Sequence, residues 1–239
     1  MKSHWVELDV TGERMPTYVA EPDGAPRGAV LVLQEIFGVS AEIRALTELV
    51  AGAGYLGVAP ALFHRTDPHF EATHDEAGFD KGRAAAGAIE FPQLVADLTA
   101  AGEYARSHIG PQAHIGTWGF CFGGSIAFLS ATLPFVSAAV SFYGGQIASS
   151  PGPTRPALLV MAPQVTAPLF FAFGGKDPYI PQTEIDTIKD ELDRLAKPYE
   201  LHVYPDEDHG FFRFGPDGNA GSRDVWPRVQ TFLATHLGS

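Results

Sequence analysis

The chain has one cysteine among its 239 residues. That scarcity excludes an intrachain disulfide framework, so the fold does not depend on an oxidising compartment. Basic residues are also few: 16 Lys and Arg stand against 28 Asp and Glu, for a formal charge of −12. No basic stripe is present to displace phosphate counterions, which argues against a nucleic-acid partner. No apolar run is long enough to span a bilayer, so no membrane partner is expected. Met1 to Val10 alternates polar and apolar residues and lacks the apolar run of a signal peptide. A cytoplasmic location is therefore the expectation. No repeat or low-complexity tract interrupts the chain. The Pro/Gly-rich piece Gly144 to Pro168 is too short to be a domain linker, so one domain over residues 1–239 is expected.

What is present alternates apolar β-like runs with segments of helical period. This pattern predicts an α/β fold with a mostly parallel sheet of about eight strands flanked by helices. Trp5 to Val10 and Met15 to Glu21, joined by Thr11-Gly12-Glu13-Arg14, read as an opening hairpin. Ala29 to Leu33, Gly54 to Pro60, His114 to Trp118, Ser137 to Tyr143, Leu169 to Phe173 and Glu200 to Tyr204 read as the remaining strands. Ser40 is a candidate helix N-cap before Ile43, Leu46 and Val50. A second stripe comprises Ile185, Ile188, Leu192 and Leu195, and a last helix is expected from about Ser222 to His236. The segment from Ala61 to Gln93 has a poor apolar period. It is expected to be loop and short helix covering the top of the sheet.

The lone Cys121 sits in Gly119-Phe120-Cys121-Phe122-Gly123-Gly124, after an apolar strand and before a small-residue helical pattern beginning at Ser125. A strand, a sharp glycine-flanked turn and a helix would present the thiol at the apex, where a helix N-terminus favours its anion. A cysteine nucleophile needs a base, a group that orients the base, and donors for the oxyanion. Asp177 follows one predicted strand and His209 follows the next, so both fall on the same sheet edge as Cys121. Glu35 ends an apolar strand, where an unpaired carboxylate is costly, and it needs a partner or a task. A base beside Cys121 is such a task.

These residues, together with Gln34-Glu35-Ile36-Phe37-Gly38, Gly175-Lys176-Asp177 and His209-Gly210-Phe211, resemble the dienelactone hydrolase family over nearly the whole chain. The order nucleophile, acid, histidine is that of the α/β-hydrolases. The resemblance implies an α/β-hydrolase fold and a Cys121, His209, Asp177 triad acting through a thioacyl-enzyme, with Glu35 helping to form the thiolate when substrate binds. It implies backbone N–H groups of Ile36 and Phe122 as oxyanion donors. It also places Arg213 where an arginine holds a substrate carboxylate. The expected partner is a small lactone or ester, with no cofactor and no metal, and the expected assembly is a monomer or small homo-oligomer.

Other readings of the same residues stay open at this point. A broad carboxylesterase or thioesterase would not use Arg213 for anionic substrates. A binding or redox-sensing protein would use Cys121 as a reactive thiol. A glutamine-amidotransferase-like fold also pairs a cysteine with a glutamate, but the order of Asp177 and His209 argues against it. Phe37 and Tyr143 are candidate pocket residues. Phe63, Phe70, Phe120, Phe122, Phe211 and Phe212 flank the same region, and Arg83 is a candidate second cation. His64, Asp67, His69, His74 and Asp75 resemble a list of metal ligands, but their spacing matches no zinc pattern.

Overall fold

The computed structural model describes residues 1–150 and 156–238. Residues 151–155 of the stretch from Gly144 to Pro168, and the last residue of the 1–239 span, lie outside the described residues. Eight strands form one sheet: β1 (Lys2–Val10), β2 (Glu13–Glu21), β3 (Ala29–Leu33), β4 (Leu56–Pro60), β5 (Ile115–Phe120), β6 (Val136–Phe142), β7 (Leu169–Gly174) and β8 (Tyr199–Tyr204). Their spatial order is β1-β2-β4-β3-β5-β6-β7-β8. β2 runs antiparallel to β1 and β4, and every pairing from β4 to β8 is parallel.

The five residues of β3 are all buried, and they divide by parity between the two faces. Val30 and Val32 join the core that contains Trp118, Phe120, Phe142 and Phe170. Ala29, Leu31 and Leu33 join the core that contains Leu94, Leu98 and Ile126. This is the alternation of a strand covered on both sides, and explains why these segments read as continuous apolar runs. The covering helices are α1 (Ala41–Gly52), α2 (Glu76–Ala88), α3 (Phe91–Ile109), α4 (Phe122–Ser130), α5 (Gln182–Arg194) and α6 (Ala220–Leu237). No helix of the described residues is long and apolar enough to cross a membrane.

Several local expectations need correction. The segment 61–93 contains a 13-residue helix, α2, and the start of α3. Its packing stripe is Gly78, Gly82 and Ala85, small rather than apolar, which is why the period is faint. α4 begins directly after Cys121 rather than at Ser125, and leaves the cysteine at its N-cap. α6 starts two residues before Ser222, at Ala220, because Asn219 caps it by accepting from the Ser222 N–H at 2.7 Å. Ser40 stands at the N-cap of α1, yet its hydroxyl donates to Glu42 at 2.7 Å instead of capping the backbone. A 3-10 helix, Leu158–Gln164, lies in the Pro/Gly-rich stretch.

Candidate active site

After β3 the chain crosses to β4 on one side, and it later returns as β5 on the other. A crevice at such a switch point, beyond the carboxyl ends of the strands, is where open α/β sheets bind ligands. Gln34, Glu35 and Ile36 follow β3 here, and Cys121 follows β5. Tyr143 follows β6, Asp177 comes shortly after β7, and His209 shortly after β8.

The turn at Cys121 depends on its glycines. A Cβ on Gly119 would lie 1.8 Å from the Gly123 carbonyl oxygen, and one on Gly123 would lie 2.1 Å from that of Leu33. Strand and helix therefore close around Cys121, which adopts φ 53°, a left-handed conformation that a non-glycine residue rarely holds. The Gly123 N–H donates to the Gln34 carbonyl at 3.0 Å and ties the β3 turn to this one. The Gln34 side-chain oxygen accepts from the Leu62 N–H at 3.0 Å, so the start of the cover is tied in as well. Among the described residues, neither the Ile36 nor the Phe122 N–H has a protein acceptor. The latter opens α4, where the helix dipole favours negative charge.

His209 Nδ1 lies 2.7 Å from Asp177 Oδ2. The other Asp177 oxygen accepts from the Tyr179 N–H at 2.8 Å, which fixes the carboxylate. The Cys121 side chain is the second group that acts on the imidazole. Burial disfavours the imidazolium, but the hydrogen bond to Asp177 and its carboxylate charge, together with the neighbouring Cys121, outweigh it and push the His209 pKa up to about 10. Two phenylalanines hold this loop. Phe212 is fully buried among Trp118, Phe120 and Phe142, and Phe211 packs on Phe142, Tyr143 and Tyr204. Each such burial is worth about 1.5–3 kcal/mol, so His209 and Arg213 flank a rigid anchor.

Glu35 is almost fully buried, and one of its oxygens faces a guanidinium and an imidazole. Arg213 Nε donates to Oε2 at 3.2 Å, and His74 Nε2 is 3.6 Å from the same atom. The Arg213 guanidinium lies 5.9 Å from the Phe37 ring centroid, and the His74 ring packs on Phe37 at 4.0 Å. Phe63 contacts Phe70 and Phe122 beside them. Tyr143 is fully buried with its ring 5.1 Å from that of His209.

Cys121, Asp177, His209, Glu35, Arg213, Phe37 and Tyr143 are thus brought together, whereas Arg83 is exposed and lies over the Phe79 ring at 5.9 Å. Phe120 and Phe212 are core residues. Asp206 pairs with Lys176 at 3.0 Å, and Asp208 accepts from the His209 backbone. The imagined metal-ligand set is dispersed. His64 is buried against Asp97 at 3.2 Å, Asp67 accepts from the His69 N–H, and Asp75 caps α2. Sequence reasoning missed His74 as the partner of Glu35, and Tyr179, whose ring meets both His209 and Phe79. Only the general need of Glu35 for a partner pointed toward the first.

The sequence profile of the dienelactone hydrolase family matches residues 15–237. The chain belongs to the dienelactone hydrolase family. A Synechocystis sp. protein named "Putative carboxymethylenebutenolidase" is 35% identical over 227 residues, covering 92% of this chain and 91% of its own length. A Bradyrhizobium protein named "Probable 2-oxo-3-(5-oxofuran-2-ylidene)propanoate lactonase" is 29% identical, with 98% and 94% covered. The crystal structure of a "Putative Dienelactone Hydrolase" from Klebsiella pneumoniae superposes with a TM-score of 0.84 at 32% identity, covering 98% of this chain and 99% of the other. The fold is the α/β-hydrolase fold, and this family member is a hydrolase.

Proposed function

We propose that the protein hydrolyses small enol lactones or activated esters through a thioacyl-enzyme on Cys121. The reading is supported most directly by the 2.7 Å contact that ties His209 to Asp177 at the sheet edge that also carries Cys121. The substrate carboxylate engages Arg213 and releases Glu35, which takes the Cys121 proton. The thiolate attacks the lactone carbonyl carbon, and the N–H groups of Ile36 and Phe122 hold the resulting oxyanion. The ring C–O bond breaks, and the His209 imidazolium protonates the leaving enolate oxygen. Neutral His209 then takes a proton from the water that attacks the thioester. Cys121 departs as thiolate and recovers its proton from Glu35, while the product leaves as a carboxylic acid. An enol lactone suits this sequence because its leaving group stabilises its own charge. An amide does not, because a poor leaving amine has to be protonated.

The Arg213 guanidinium on one buried carboxylate, with the His74 imidazole beside it, favours a substrate that itself carries a carboxylate, as carboxymethylenebutenolide does. Residues 61–93 act as the cover of this pocket within a single domain. The test is Cys121→Ala: lactone hydrolysis falls to the uncatalysed background, and near-native hydrolysis by this variant would refute the mechanism.

A further inference from the structure

Tyr143 has no part in the steps above, yet it holds an unusual position. Its φ is 39°, in a region that a bulky residue avoids unless its surroundings impose it. Its N–H donates to the Ala172 carbonyl at 2.8 Å, and a Cβ on the following Gly144 would lie 2.6 Å from the Gly124 backbone. The strained turn directs the ring inward, edge-on to His209. The buried hydroxyl has no hydrogen-bond partner among the described residues, and neither has Glu35 Oε1. One is a donor and the other an acceptor, and buried polar atoms without partners are rare enough to need a reason. The two groups are electrically coupled. Burial and then the Glu35 carboxylate hold the phenol well above its ordinary range, with Arg213 opposing and Cys121 adding to the effect.

We propose that Tyr143 is a positioning residue that receives Glu35 when Arg213 turns to the substrate. The freed carboxylate rotates, its unpartnered oxygen accepts a hydrogen bond from the Tyr143 hydroxyl, and it is held beside the Cys121 thiol as proton acceptor. The bond supplies placement rather than basicity, since a donor to a carboxylate weakens it as a base. Without Tyr143, release from Arg213 would leave the buried Glu35 charge with an oxygen that has no donor. The inference rests on the reading that Glu35 promotes the thiolate.

The experiment compares Tyr143→Phe, Glu35→Gln and the double variant on carboxymethylenebutenolide, with thermal unfolding of each. Tyr143→Phe lowers kcat about ten-fold and leaves KM unchanged, the size expected for a lost hydrogen bond to a charged group. Its thermal midpoint stays level or rises, because the substitution removes a buried hydroxyl that has no partner. The double variant is no slower than Glu35→Gln. Wild-type kcat in Tyr143→Phe, losses that multiply in the double variant, or a fall in kcat and midpoint together would each overturn the proposal. Wild-type turnover by Glu35→Gln would instead overturn the role of Glu35 itself.

Discussion

Gly82 of α2 packs directly against the turn that carries the proposed oxyanion donor Ile36. A Cβ there would lie 2.2 Å from the Ile36 carbonyl oxygen and 2.9 Å from the Ile36 Cβ. Restoring van der Waals separation after Gly82→Ala takes a displacement on the order of 1 Å, shared between the helix and the turn that carries the Ile36 N–H. Misplacement of this size costs about a hundred-fold in turnover when it moves a transition-state donor. Overpacking destabilises by about 1–3 kcal/mol, and the helix preference of alanine offsets about 0.5–1 of that. The thermal midpoint should then fall by at most about 10 °C. The assay measures kcat on carboxymethylenebutenolide by ultraviolet absorbance, with calorimetry on the same sample. Gly52→Ala serves as control, since an added Cβ at the end of α1 meets no described atom within 4 Å. If Gly82→Ala loses stability as expected but keeps wild-type kcat, α2 does not set the Ile36 turn and the reasoning fails.

The hydrogen bond to Asp177 is the largest of the effects that raise the His209 pKa to about 10. With the folded value above the unfolded 6.5, this group's contribution to stability is complete below about pH 6.5 and is lost as pH rises toward about 10. Urea unfolding midpoints should decline across that window, and Asp177→Asn should flatten the decline; equal slopes in both proteins would contradict the assignment. Arg213→Ala should lower the ratio of kcat/KM for carboxymethylenebutenolide over 5-methylenefuran-2-one, the same ring without the carboxylate, by about ten- to a hundred-fold. His74→Gln should lower it less, because its contact is the longer, 3.6 Å against 3.2 Å. An unchanged ratio in Arg213→Ala would favour a broad carboxylesterase.

The sheet was legible because its strands are buried on both faces, so that Ala29–Leu33 and Leu169–Gly174 are unbroken apolar runs. The positions of Cys121, Asp177 and His209 followed from strand order, since parallel strands bring the turns after β5, β7 and β8 to one edge. The cover was not legible in this way. α2 packs through Gly78 and Gly82, whose value lies in close backbone approach and leaves no apolar signature. α3 turns Leu94, Leu98, Ala101 and Ala105 inward, and its stripe is half alanine. The pairing of Glu35 with His74 and Arg213 joins three segments far apart in the chain, and no local pattern encodes it.

The central claim is that Cys121 carries the acyl group. The direct measurement is mass spectrometry of the intact protein and its peptides after rapid quench with carboxymethylenebutenolide. Ring opening expels no fragment, so the acyl-enzyme should gain the whole mass of the lactone, located on the Cys121 peptide and absent from Cys121→Ala. Turnover with no such adduct, or an adduct on another residue, would contradict the account.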